Sequence, residues 1–221
     1  MFCCSKKSNT IITRGRRIYP DEILRVESMI NSDIIENAKK CKKIIFTYEY
    51  NFPIINIPNG IESIQIDSTC FQQSLDSLHN GLKELNLNAG YNQPLDYLPN
   101  GLEILKFQSG SIYSHCLDNL PNTLKILEIP ILHNKPINSL PDSIEELRIG
   151  VKQMGNDENH FYQEGVSIFG GNKELMFFSE KIVKLPANIQ RVFIFGDYIH
   201  LNDLIKKFGD KIHVVFGQYR T

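Results

Sequence analysis

A ten-residue phrase returns along the chain at intervals of about 20 to 23 residues. Its clearest copy runs Leu98-Pro99-Asn100-Gly101-Leu102-Glu103-Ile104-Leu105-Lys106-Phe107, and the others begin at Ile57, Leu78, Leu120, Leu140 and Leu185. A unit this short cannot bury an apolar face alone, so the copies must stack into a solenoid. The last interval, 45 residues, is about twice the period. Halving it places an eroded copy near residue 162, where Tyr162-Gln163-Glu164-Gly165-Val166-Ser167-Ile168-Phe169 keeps a glycine and the apolar positions. Residues 155–171 therefore read as a degenerate coil. Cys41, Ile44 and Phe46 fit an opening coil and Ile212 to Phe216 a closing one, which makes about nine coils.

Within each copy the apolar positions follow an L-x-x-L-x-L rhythm, as in Leu82, Leu85, Leu87 and Leu124, Leu127, Ile129. The last two lie two residues apart, which is strand alternation, and a proline in second place argues against a helix. Pro-Asn-Gly or Pro-Asp-Ser ahead of the strand is turn chemistry. The predicted fold is an α/β solenoid, leucine-rich-repeat-like, with parallel strands on one concave face and an irregular, turn-built convex side. Short caps close it, helical at the N-terminus and helix-strand at the C-terminus. Seven residues before each phrase stands a large side chain: Tyr50, Phe71, Tyr91, Tyr113, His133, Phe178 and Leu201. The next residue is polar each time, from Asn51 and Gln72 to Asn92 and Ser114. This predicts an aromatic stack in the core beside a polar ladder that satisfies turn backbone groups. His133 belongs to the stack and reads as a core residue.

The string Tyr91-Asn92-Gln93-Pro94-Leu95-Asp96-Tyr97-Leu98-Pro99-Asn100-Gly101-Leu102 resembles an FNIP repeat, a short relative of the leucine-rich repeat. His133-Asn134-Lys135-Pro136-Ile137-Asn138-Ser139-Leu140-Pro141 is similar to the same motif. The resemblance covers residues 50–150 well, 177–194 fairly and the ends poorly. His79 stands where proline is expected, and Cys116 where the counterpart of Pro94 belongs. Such repeats are common in social amoebae and in giant viruses that infect amoebae. The resemblance implies a non-catalytic solenoid used for protein interaction, and it carries no catalytic residues to transfer.

A 221-residue chain with 42% hydrophobic content can bury a continuous core. Its net charge of −1 supplies no field to draw in nucleic acid. No apolar run reaches membrane-spanning length and no secretory segment follows the start. The five cysteines form no C-x-x-C pair and the chain has no N-glycosylation sequon, so a reducing cytoplasmic setting is expected. Cys41 and Cys116 read as small core residues. The six histidines are scattered, and no nucleophile, phosphate-loop or metal motif is present. Neither enzyme activity, cofactor nor metal is expected. Asp157-Glu158-Asn159-His160 reads as a solvated loop.

Residues 1–18 are basic and read as a flexible terminus. Residues 19–42 read as a helical cap: Pro20 in a first turn, an apolar face from Ile23, Leu24, Val26, Met29 and Ile30, then a second helix capped by Asn31 or Ser32. Residues 43–198 are the repeat solenoid and 199–221 the C-terminal cap, with a helix that Gly209 ends. Two other readings attach to the N-terminus. Cys3 and Cys4 beside Lys6 and Lys7 resemble a dual-acylation site, which would tether a scaffold to membrane. Tyr19-Pro20-Asp21-Glu22-Ile23-Leu24 resembles the opening of an F-box, which would make residues 19–40 a ubiquitin-ligase adaptor segment.

The expected partner is an unidentified protein, bound where outward residues alternate with the inward leucines. That face comprises Glu84, Asn86, Asn88, Ile104, Lys106, Gln108, Ile126, Glu128, Glu146, Arg148, Arg191 and Phe193, with Phe195 beside the last. Ile104 and Ile126 fall on neighbouring coils and form an apolar centre. The final strand offers an edge, so the chain is expected as a monomer or an edge-paired homodimer.

Overall fold

The computed structural model describes residues 23–47, 49–108, 110–130, 132–150, 178, 180–195 and 199–215. Among them, nine strands form one sheet in strict chain order, every neighbouring pair parallel. They are β1 (Ile23–Val26), β2 (Lys43–Phe46), β3 (Ser63–Ile66), β4 (Glu84–Leu87), β5 (Ile104–Phe107), β6 (Ile126–Ile129), β7 (Glu146–Ile149), β8 (Arg191–Phe195) and β9 (Ile212–Val215). Helix α1 (Ser32–Ala38) follows β1, and α2 (Leu201–Phe208) precedes β9. The molecule is a parallel-strand solenoid with few helices.

Alternation along each strand sends one set of side chains inward. Ile44 and Phe46, Ile64 and Ile66, Leu85 and Leu87, Leu105 and Phe107, Leu127 and Ile129 are all buried. They meet the aromatic column on the opposite limb. Tyr50 stacks on Phe71 at 6.1 Å and Phe71 on Tyr91 at 5.9 Å. Tyr113 stacks on His133 at 6.1 Å, and His133 on Phe178 at 6.5 Å with rings only 6° apart. The ladder beside this column forms as its spacing predicts. Asn51 Oδ1 accepts from the Gln72 amide at 3.0 Å, Gln72 Oε1 from Asn92 at 3.2 Å, and Asn92 Oδ1 from Ser114 at 2.9 Å. Each side chain thereby satisfies a backbone donor in the coil above, where no strand partner is available.

In two copies of the phrase, at Gly81 and Gly101, the glycine is required by contact with the coil below. A Cβ on Gly101 would lie 1.9 Å from the Asn80 carbonyl oxygen. Where serine or threonine replaces glycine, its hydroxyl bonds the preceding coil instead: Thr123 donates to the Leu102 oxygen and Ser143 to that of Leu124, both at 2.8 Å.

Three expectations need correction. Ile23–Val26 is a strand and not the first helix of a cap. It pairs with β2 from Ile23↔Lys43 to Val26↔Phe46, burying Val26. A ready-made parallel partner outweighs weak local helix preference in so short a segment. The second helix does form, with Asn31 Oδ1 accepting from the Ile34 amide at 2.9 Å. An F-box needs helix across 19–40, which the strand excludes. The degenerate coil at 155–171 lies outside the described residues. β7 pairs directly with β8, Glu146↔Arg191 through Ile149↔Ile194, and Phe178 stacks directly on His133. The doubled interval therefore joins two strands that are neighbours in the sheet. Finally, Cys116 is exposed rather than core, whereas Cys41 packs partly buried against the core.

Candidate interaction face

The outward side chains fall into rows set by the strand register. One row runs Lys43, Ser63, Glu84, Ile104, Ile126, Glu146, Arg191, each paired with the next across neighbouring strands. A second carries Ile45, Gln65, Asn86 and Lys106 on β2–β5, then Glu128, Arg148, Phe193 and His213 on β6–β9. Ile104 and Ile126 are thus neighbours, as the sequence predicts, and both are half-buried.

The charged members of the face bind one another. Lys106 Nζ lies 2.9 Å from Glu84 Oε1. Burial is the largest influence on Glu84 and opposes its charge. Lys106, Lys43 and the Ser63 hydroxyl together outweigh it and hold the carboxyl below the usual carboxylate range. Arg148 spans two carboxylates, with Nη1 2.5 Å from Glu128 Oε1 and Nε donating to Glu146 Oε1 at 2.6 Å. Arg191 closes the chain, its Nη2 2.8 Å from Glu146 Oε2. Glu146 and Glu128 are only 5% and 8% exposed, so the guanidinium groups are what permit their burial.

Asn88, expected on this face, is fully buried at the end of β4, and neither side-chain polar atom has a partner among the described residues. Gln108 passes over it to donate to Asp67 Oδ1 at 2.9 Å, and Gln65 donates to the same oxygen at 2.8 Å. The alternation that points Asn86 outward lapses once the strand ends at Leu87, and the chain there turns into the core. Phe193 and Phe195 stay on the outer side, half-buried. Their rings are 6.5 Å apart, and His213 stacks on Phe193 at 5.2 Å.

Two features were not foreseen. Just ahead of the strands, Lys42, Glu62, Lys83, Glu103, Lys125 and Glu145 alternate in sign from coil to coil. Glu62 bonds both Lys42 at 2.9 Å and Lys83 at 3.0 Å, which holds its carboxyl below the ordinary range, and Lys125 bonds Glu103 at 2.8 Å. The alternation is visible in the sequence once the strands are aligned. The second feature is a cleft of about 460 Å³ between Lys181–Val183 and α2. Two of its three lysines are engaged already, Lys181 with Asp203 at 3.2 Å and Lys207 with the Val183 carbonyl. No signal in the sequence marked it.

His133 is a core residue: 1% exposed, with Nδ1 3.0 Å from the Tyr113 carbonyl and its pKa lowered by burial. Among the described residues no group of histidine, cysteine and acidic side chains could hold a metal. None of their helices is long and apolar enough to cross a membrane. Cys3 and Cys4 lie outside the described residues.

No family model matches the chain, and no curated protein matches it. Among solved structures it is similar to CroV588, a circular leucine-rich-repeat protein from the giant virus CroV, with a TM-score of 0.55 and 17% identity. The fold is a leucine-rich-repeat-like solenoid. The match takes in 82% of this chain and 28% of CroV588, so the chain spans little more than a quarter of that protein. At this identity the likeness concerns the fold alone.

Proposed function

We propose that this solenoid is a non-catalytic protein-interaction module of FNIP type that binds its partner on the strand face, in a cytoplasmic setting. The observation that carries this reading is the outward surface of the parallel sheet. It is a continuous platform on which Ile104 and Ile126 adjoin across β5 and β6, and Phe193 and Phe195 stack beside His213. Half-buried apolar groups framed by fixed ion pairs are the composition of a protein-binding hot spot. FNIP identity is supported by the Leu-Pro-Asn-Gly-Leu phrase and by the way its glycine and ladder residues pack.

The test is affinity capture from amoebal lysate with quantitative mass spectrometry. Wild type is compared with an Ile104→Asp/Ile126→Asp variant whose circular dichroism matches. A partner held by wild type and lost from the variant supports the reading. A partner held equally by both removes binding from the strand face.

A further inference from the structure

Resting on that interaction reading, we infer that the strand face recognises an uncharged, extended peptide segment with two apolar side chains about four residues apart. The charges standing on the face from β4 to β8 are three carboxylates, Glu84, Glu128 and Glu146, and three cations, Lys106, Arg148 and Arg191. They are joined at 2.5–2.9 Å into one isolated pair and one continuous chain. A charged ligand would have to draw one member from its partner and strand a buried carboxylate, which is strongly unfavourable. The alternating rim from Lys42 to Glu145 likewise offers no strip of one sign. Its opposite charges cancel within a Debye length.

From β4 to β8 the groups left for a partner are the apolar and aromatic ones and an amide. Ile104 and Ile126 make one apolar spot, and the Phe193, Phe195 and His213 rings make another. Phe193 lies two strands from Ile126 and one row further along, about 12 Å on the diagonal, which an extended peptide covers in about four residues with both side chains on the same side. Asn86 lies one strand from Ile104, half-exposed, and its amide forms no side-chain hydrogen bond among the described residues. A primary amide matches the donor and acceptor of one peptide group.

The experiment is selection of a phage-displayed library of random linear peptides on the full chain, followed by affinity measurement of the enriched sequences as synthetic peptides. The expected winners carry no net charge and place an apolar and an aromatic residue four positions apart. Their Kd changes less than about twofold between about 50 and about 500 mM NaCl, since no net ion pairing is made. Phe193→Ser and Ile104→Ser, each checked by circular dichroism, weaken them about tenfold, as loss of a hot-spot contact does. Winners that are highly charged and salt-sensitive, yet weakened by the same variants, overturn the uncharged segment and leave the strand-face reading standing. Winners indifferent to both variants overturn the strand-face reading and this inference with it. Failure to enrich any peptide overturns the inference, and the lysate capture then decides the broader reading.

Discussion

His133 shows how position in a repeat sets the chemistry of a side chain. An imidazole in a column of phenol and phenyl rings gives one nitrogen to a backbone carbonyl and leaves Nε2 buried without a partner among the described residues. Burial favours the neutral ring, so its folded pKa lies below the ordinary value. The unfolded chain then takes up the proton first as pH falls. Stability from this site is complete above the ordinary pKa of about 6.5 and is lost progressively below it, by at most about 1.4 kcal/mol per pH unit. Thermal melts of wild type should therefore fall between about pH 6.5 and 5, and those of His133→Phe should stay flatter over that range. Gly101 makes the second case. Gly101→Ala should cost about 1–3 kcal/mol in urea denaturation, because the methyl group meets the Asn80 carbonyl. At Gly60, where a Cβ meets nothing within 4 Å, the same change should stay within about 0.5 kcal/mol.

Among the elements, strands β6–β8 are tied twice, by their ladder and by the ion chain across their outer surface. Arg148 is the shared member. Arg148→Met would leave Glu128 and Glu146 facing one another without their common cation, and should destabilise the fold by about 2 kcal/mol. That figure allows for partial solvent screening of an arginine about one-third exposed. Adding Glu128→Gln and Glu146→Gln should recover most of the loss, because amides in those places need no counter-charge. A single variant as stable as wild type would show that the network contributes nothing. β1 teaches the complementary lesson. Ile23-Leu24-Arg25-Val26 repeats the strand pattern of Lys43-Ile44-Ile45-Phe46 a full period earlier, so its strand was legible in the sequence. The apolar residues after Pro20 also suit a helix, and only the neighbouring strand settles the choice.

The whole molecule is a stack in which each coil touches mainly the coils beside it, so continuity of stacking governs its folding. Direct pairing of β7 with β8 makes a test of that kind available. Three residues separate Ile129 from His133, and deleting residues 152–176 would leave three between Ile149 and Phe178. That deletion should fold cooperatively with a Tm within about 5 °C of wild type, since β7 and β8 pair directly across it. A collapsed or noncooperative melt would instead mean that the segment supplies a coil. The same stacking puts the interaction face on one rigid sheet, with its ion pairs preformed. Association there is expected to depend on apolar fit more than on ionic strength.

Period, strand positions, aromatic column and polar ladder all follow from side chains that recur with the coil, because each coil meets the same environment as its neighbours. The pattern therefore placed Ile104 beside Ile126 and His133 in the core before any coordinates did. Three matters depended on tertiary structure. Spacing alone could not show that β7 and β8 are neighbours across the doubled interval, since the phrase keeps its register on either side whatever lies between. Alternation pointed Asn88 outward, whereas the end of the strand turned it inward. Neutrality of the face arose from diagonal and cross-strand pairs such as Lys106–Glu84 and Arg148–Glu128, which join residues some 20 positions apart. A charge in sequence declares its sign, but its partner is chosen only when the coils stack.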